Sequence, residues 1–327
     1  MGPLITVIIP TYNNEKTIQR CVDSVLKQTI RDIEIIIIND GSTDKTQEIL
    51  EDLSKQDKRI RLIQLDHNVG QGIARNFGIM NARGEYIGFV DADDTISSNM
   101  YENMLQKAIE HDAEIVQCNI INVFPDGKYV FQLPELNKVV HVKNRKEYFD
   151  KYVFRPQHSF ECCNKLIKKR FLLENNIKFQ SNEKVFAEDL LFNFEMAAKL
   201  NTIVFMGEAY YHYYQYEDSH SKTQGMEKIE KLCVLFELFY RKEKELRFQC
   251  AQIAILILML NLSRILKEGE ATHQVKEMLR RRDIKKYLVL SFLSMKKIRH
   301  KILMLLLLCT PMKVKLLIII FYYTRLK

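Results

Sequence analysis

Four apolar runs mark the first hundred residues, and each gives way to a polar segment. Leu4–Ile9 and Ile33–Ile38 are near-continuous β-branched runs, and Ile60–Leu65 and Tyr86–Val90 come after them. Runs of this length and composition are expected of strands buried on both faces of a parallel sheet. Helical spacing fills the gaps between them. Ile18, Cys21, Val22, Val25 and Leu26 fall on one face of a helix, as do Ile49, Leu50 and Leu53, and Ile73, Ala74 and Phe77 begin a third. Strand and helix alternating in this way predict an α/β fold with a doubly wound, mostly parallel sheet.

Ligands of such sheets sit beyond the carboxyl ends of the strands. The residues there are Pro10-Thr11-Tyr12-Asn13-Asn14, Asn39-Asp40-Gly41-Ser42-Thr43-Asp44, Asp66-His67-Asn68-Val69-Gly70 and Asp91-Ala92-Asp93-Asp94. All four segments are expected on one rim. The last puts three carboxylates into four residues, which repel one another and are costly to desolvate without a cation or a strong donor set. Hard divalent cations bind through one or two carboxylates plus substrate phosphates, so the cluster suits a metal-diphosphate site. A polar turn with an Asp cap explains the same residues without a ligand. Two other nucleotide folds are excluded: no Gly-x-Gly-x-x-Gly comes after the first strand, and there is no Gly-x-x-x-x-Gly-Lys-Ser/Thr.

Composition adds little about class: 47% apolar and 28% charged residues are ordinary for a globular chain of 327 residues, a length that suggests two domains. Seven cysteines without a Cys-x-x-Cys pair argue against a zinc cage or a disulfide framework. With no basic leader before Leu4, a cytoplasmic chain is expected. Charge is more telling. Residues 1–225 carry 27 Lys and Arg against 32 Asp and Glu, whereas residues 226–327 carry 22 against 9. Such a split separates chemistry in front from an anionic surface met by the rear.

The four strand-end blocks, with Asn68-Val69-Gly70 running on through Ala74-Arg75-Asn76, resemble the family 2 inverting glycosyltransferases of GT-A fold in order and spacing, with Asn39 where many members have Asp. Asn164-Lys165-Leu166, Phe186-Ala187-Glu188-Asp189-Leu190 and Tyr210–Tyr214 are similar to the bacterial polysaccharide-type members. The resemblance implies a GT-A catalytic domain over 1–225, with nucleotide-sugar binding in 1–120 and the acceptor side and base in 121–225. It implies a UDP-sugar donor with Mn²⁺ or Mg²⁺, and a glycan hydroxyl as acceptor. Asp40 then pairs with uracil. Pro10, Thr11 and Tyr12 line base and ribose, and Asn68, Gly70, Asp91, Ala92 and Asp93 line the donor. Asp93 and Asp91 meet the metal, with His220 or His212 as a further candidate ligand, and Arg75 adds a fixed cation near the phosphates. Glu188-Asp189 carries the base role, with Asp189 taking the acceptor proton. Read without the resemblance, that pair is an acidic cap on the helix Leu190–Ala198. The alternative to an enzyme is a degenerate transferase acting as a scaffold in a glycan-assembly complex.

From Ile302 two apolar runs are split by Pro311, Lys313 and Lys315. A single span would bury two lysines and a proline, and neither run alone reaches the roughly 20 residues a membrane helix needs. Two interfacial helices on anionic lipid fit better, with a homodimer mate or the catalytic domain as the other place to bury them. That reading makes residues 226–327 a basic helical domain, peripheral on the inner face of the cell membrane. Nucleic acid is disfavoured by the Leu and Ile richness.

Overall fold

The structure, a computed structural model, describes residues 2–155, 158–216, 226–267, 272–294 and 307. The alternation expected from the sequence is present: β1 Ile5–Thr11, α1 Ile18–Leu26, β2 Ile33–Asn39, α2 Thr46–Gln56, β3 Ile60–Gln64, α3 Gln71–Asn81 and β4 Tyr86–Phe89. After it come β5 Thr95–Ile96, α4 Met100–Glu110, β6 Ile115–Val123, β7 Tyr129–Phe131, β8 Lys138–His141, α5 Arg145–Tyr148, β9 Lys165–Lys168, α6 Lys169–Glu174, α7 Glu188–Lys199 and β10 Thr202–Tyr214. These strands form one mixed sheet in the order β3-β2-β1-β4-β9-β6-β10-β5, with β7 on β6 and β8 on β10.

β1 is parallel to both β2 and β4, and β9 runs antiparallel between β4 and β6. Each of β1 and β2 is buried along its whole length, because helices cover both sheet faces. Alternate residues take opposite faces. Ile5, Val7 and Ile9 join one core with Cys21 and Val22 of α1, Leu50 of α2 and Met100 of α4. Ile8 points the other way, against Gly78 of α3.

Two compact units emerge from the contacts: residues 1–144, 151–183 and 188–219 in one, and 145–150, 184–187 and 220–327 in the other. The second holds α8 Met226–Lys242, α9 Arg247–Lys267, α10 Thr272–Arg280 and α11 Arg282–Ser294. Its core is apolar, with Phe236, Phe239, Cys250, Ala254, Leu258 and Leu288 buried. Tyr287 donates to Glu237 at 2.9 Å across α8 and α11. Among the described residues no helix is long and apolar enough to cross a membrane. Apart from Leu307, the segment from Ile302 on lies outside the described residues, as does His220.

Candidate active site

The ends of β1, β2 and β4 do come together. Asn13, in left-handed backbone (φ 54) that Asn tolerates, accepts from Thr43 N at 2.8 Å, and its own N–H donates to Ser42 at 3.0 Å. The first two loops are thereby stapled. Thr11 is buried and donates to Asn14 at 3.0 Å, whereas Tyr12 stands 44% exposed at the rim. Asp40 is buried and grips the third loop: Val69 N and Gly70 N donate to its two oxygens at 2.8 and 2.9 Å. Gly70 has φ 88 and also donates to Asn68 at 3.0 Å. A side chain there would strain the turn that opens α3.

α3 delivers Arg75. Its guanidinium is 1% exposed and bound by three carboxylates: Asp91 at 2.8 Å, Asp189 at 2.7 Å and Glu188 at 3.2 Å. Burial works against that charge, and Asp189, Asp91 and Glu188 more than offset it, raising the Arg75 pKa further. Arg75 lies over Phe179, which stacks on Phe192 at 3.9 Å, with Phe89 edge-on to both. Arg75, expected near the diphosphate, has both terminal nitrogens facing carboxylates in a buried pocket.

The acidic loop after β4 divides into three different carboxylates. Asp91 Oδ1 takes bonds from Arg75 and from Gln71 at 2.9 Å, which leaves Oδ2 open. Burial, with the charge of Asp91 beside it, pushes Asp93 up to about 6. Its carboxylate takes no bond from another described residue. Its carbonyl accepts from Arg20 at 2.6 Å, and that guanidinium lies 3.8 Å over the Tyr214 ring. Asp94, whose place in the sequence suggests only a cap on the next segment, is fully buried and looks to β10 instead. Tyr211 Oη donates to it at 2.7 Å and Tyr214 N at 2.9 Å, and Asp91 N donates to the same Tyr211 oxygen at 3.1 Å. Burial, then the charges of Asp93 and Asp91, hold Asp94 well above the usual carboxylate range. Ala92 between them is buried.

Glu188 and Asp189 open α7, where carboxylates favour the helix dipole. Ala187 before them has φ 60, an uncommon conformation for a residue with a Cβ. Asn182 bridges the pair to α3, donating to Glu188 at 3.0 Å and accepting from Gly72 N at 3.3 Å. A Cβ at Gly72 would fall 2.7 Å from the Gln180 carbonyl, so only glycine allows this approach. Asp189 keeps 26% of its side chain exposed. Burial raises its pKa, Arg75 opposes the rise, Glu188 and Asp91 add to it, and the Cys162 thiol donates to the carboxylate. His212 lies on β10 and pairs with Ser97 at 3.1 Å. Among the described residues no three His, Cys, Asp or Glu side chains converge as a ready metal cage.

Sequence reasoning missed Gln71, Asn182, Arg20, Tyr211 and Cys162. Each acts across a fold contact that local pattern does not encode.

A mixed sheet whose first strand ends carry a polar rim, crossed by an acidic helix start, defines an α/β fold with a ligand site at the carboxyl ends of its strands. The glycosyl transferase family 2 model matches residues 6–174, and the chain belongs to that family. It is 37% identical to the glycosyltransferase EpsJ of Bacillus subtilis over 65% of this chain and 61% of that protein. It is 31% identical to glycosyltransferase GlyG of Streptococcus pneumoniae over 87% of this chain and 94% of GlyG. The crystal structure of S. aureus TarS 1–349 in complex with UDP-GlcNAc superposes with a TM-score of 0.71 at 22% identity, covering 97% of this chain and 90% of that one. The fold is thus of GT-A type.

Proposed function

We propose that the chain moves one sugar from a UDP-sugar to a hydroxyl of a glycan acceptor, with inversion. The observation that carries this reading is the single guanidinium of Arg75 joining Asp91, on the donor-side rim, to Asp189, on the acceptor side, at 2.8 and 2.7 Å. The TarS neighbour, whose complex holds UDP-GlcNAc, supports the choice of donor. On this reading Tyr12, Asp40, Asn68 and Gly70 serve the uridine.

The donor set fits a divalent cation. The Asp93 carboxylate and Oδ2 of Asp91 take no bond from another described residue, and burial with the Asp91 charge keeps Asp93 raised although Arg20 opposes the rise. Two carboxylates with diphosphate oxygens suffice for Mg²⁺ or Mn²⁺. When bound, such a cation offsets the charge that builds on the departing diphosphate. The chain's own residues do the rest. The acceptor oxygen attacks the anomeric carbon, the bond from that carbon to the diphosphate oxygen breaks, and UDP leaves with the electron pair. Asp189 takes the hydroxyl proton. Glu188, bound to Asn182 and Arg75, holds the base in place.

We assign catalysis to residues 1–225 and attachment to an anionic cytoplasmic membrane surface to the basic region 226–327. The test of the chemical assignment is Asp189→Asn. It retains UDP-sugar binding by calorimetry and loses transfer by about 10²-fold or more, the range of a positioned general base. Loss of binding with transfer per bound donor unchanged would remove Asp189 from the base role.

A further inference from the structure

Among the described residues, one arginine is buried beneath three carboxylates. Arg75 is 1% exposed, two of its carboxylate partners belong to α7 and the third to the loop after β4, 113, 114 and 16 residues away in the chain. Three carboxylates surround one guanidinium, so the pocket holds more negative than positive charge. Its remaining nitrogen, Nε, is buried with no hydrogen-bond partner. The aromatic floor of Phe89, Phe179 and Phe192 keeps water from that side. An arginine kept so dry is costly unless its bonds are worth holding in one geometry. A bidentate fork fixes direction as well as charge, which a lysine does not.

The geometry points to Arg75 as a positioning residue for sugar transfer, one that registers the base carboxylate of Asp189 against the donor-side carboxylate of Asp91 by binding both at once. This inference rests on the transferase reading and on Asp189 as its base. With Nη1 bound to Asp189 and Glu188, and Nη2 to Asp91, the arginine acts on the reacting groups through these carboxylates. The charged and titratable groups that face Asp189 are Arg75 from α3, Glu188 from α7, Asp91 from the β4 loop, and Cys162 and Lys165 from the segment at β9. Of these, Arg75 is the cation bonded to Asp189, so its removal leaves the like charges of Glu188 and Asp91 opposed only by Lys165, which makes no bond to Asp189.

The test is the pH profile of kcat at saturating donor, measured by UDP release, together with the KM for donor, in wild type, Arg75→Gln, Arg75→Lys and Glu188→Gln. For Arg75→Gln the acid limb moves up by about one pH unit or more, since an adjacent cation lowers a carboxylate by roughly 1–3 units. Its kcat at pH 7 falls about tenfold while the donor KM stays within about threefold. Arg75→Lys brings the limb partway back. Glu188→Gln, which removes a like charge, moves the limb down. A packing role alone does not produce shifts of opposite sign. If Arg75→Gln does not fold, the opposite movements of Arg75→Lys and Glu188→Gln still decide the matter. Limbs that stay put in every folded variant overturn the inference, and so does a donor KM that rises tenfold with kcat unchanged. A wild type that releases no UDP overturns the transferase reading and this inference with it. A wild type that turns over with unmoved limbs overturns this inference alone.

Discussion

Removing one oxygen from the core tests whether β10 holds the acidic loop in place. Tyr211 and Asp94 are both fully buried. The Tyr211 hydroxyl donates to Asp94 at 2.7 Å and accepts from Asp91 N at 3.1 Å, so one oxygen satisfies two groups of that loop. Tyr211→Phe keeps the ring and leaves both groups short of a partner where water does not reach. An unsatisfied buried group costs about 1–3 kcal/mol, and Asp94 retains its bond from Tyr214 N, so the expected total is roughly 2–4 kcal/mol. With a urea m-value of roughly 2–3 kcal/mol/M, the unfolding midpoint drops by about 1 M. Tyr210→Phe is the matched control. Tyr210 is only half-buried and loses a single bond from Asn103 at 2.9 Å, for an expected cost below about 1 kcal/mol. If Tyr211→Phe lies within about 0.5 kcal/mol of wild type, or matches Tyr210→Phe, the hydroxyl does not anchor the loop and the reasoning from burial fails.

Three further outcomes are expected. Glu34 accepts from Thr6 at 2.6 Å, Arg61 at 2.9 Å and Arg83 N; burial opposes its ionisation, but these bonds prevail and hold its pKa below the ordinary value. A carboxylate lowered in the folded state adds stability above its unfolded pKa and loses it as pH falls through the folded value. Wild type should therefore exceed Glu34→Gln by roughly 1–3 kcal/mol above pH ~6, with the gap closing below pH ~4, and a gap that is flat with pH would contradict this. Asp93→Ala should raise the Mn²⁺ concentration needed for half-maximal turnover by tenfold or more, about 1.4 kcal/mol, and an unchanged Mn²⁺ titration would take Asp93 out of the metal set. Deleting residues 302–327 should abolish co-pelleting with anionic liposomes, and unchanged pelleting would reject membrane attachment through that segment.

The range of each interaction decides whether the sequence shows it or hides it. β1 to β4 and α1 to α3 were legible because apolar period reports local burial, and Ile33–Asn39 and Ile18–Leu26 are amphipathic or buried through their full length. The polar rim was legible because strand order in such folds fixes where loops gather. The partners within the rim were not. Asp94 reads as a cap by its neighbours, yet its partners Tyr211 and Tyr214 lie 117 and 120 residues on. β10 reaches them only after register shifts between Phe205, Ala209 and Tyr211, which no alternation pattern announces. Nothing within α3 itself announces that Arg75 is buried. Its burial depends on α7 and on the Phe179–Phe192 stack, both more than 100 residues away. The close approach at Gly72 is likewise visible only once Gln180 and Glu188 are in place.

Metal-dependent cleavage of a UDP-sugar for an acceptor is the reaction proposed for this chain. The most direct measurement is UDP release by the purified full chain across a panel of UDP-sugars, with Mn²⁺ or Mg²⁺ and with a chelator. Release from at least one donor is expected, lost on chelation and lost in Asp189→Asn. No release and no UDP-sugar binding by the wild-type chain would contradict it, leaving the chain a transferase fold without the reaction.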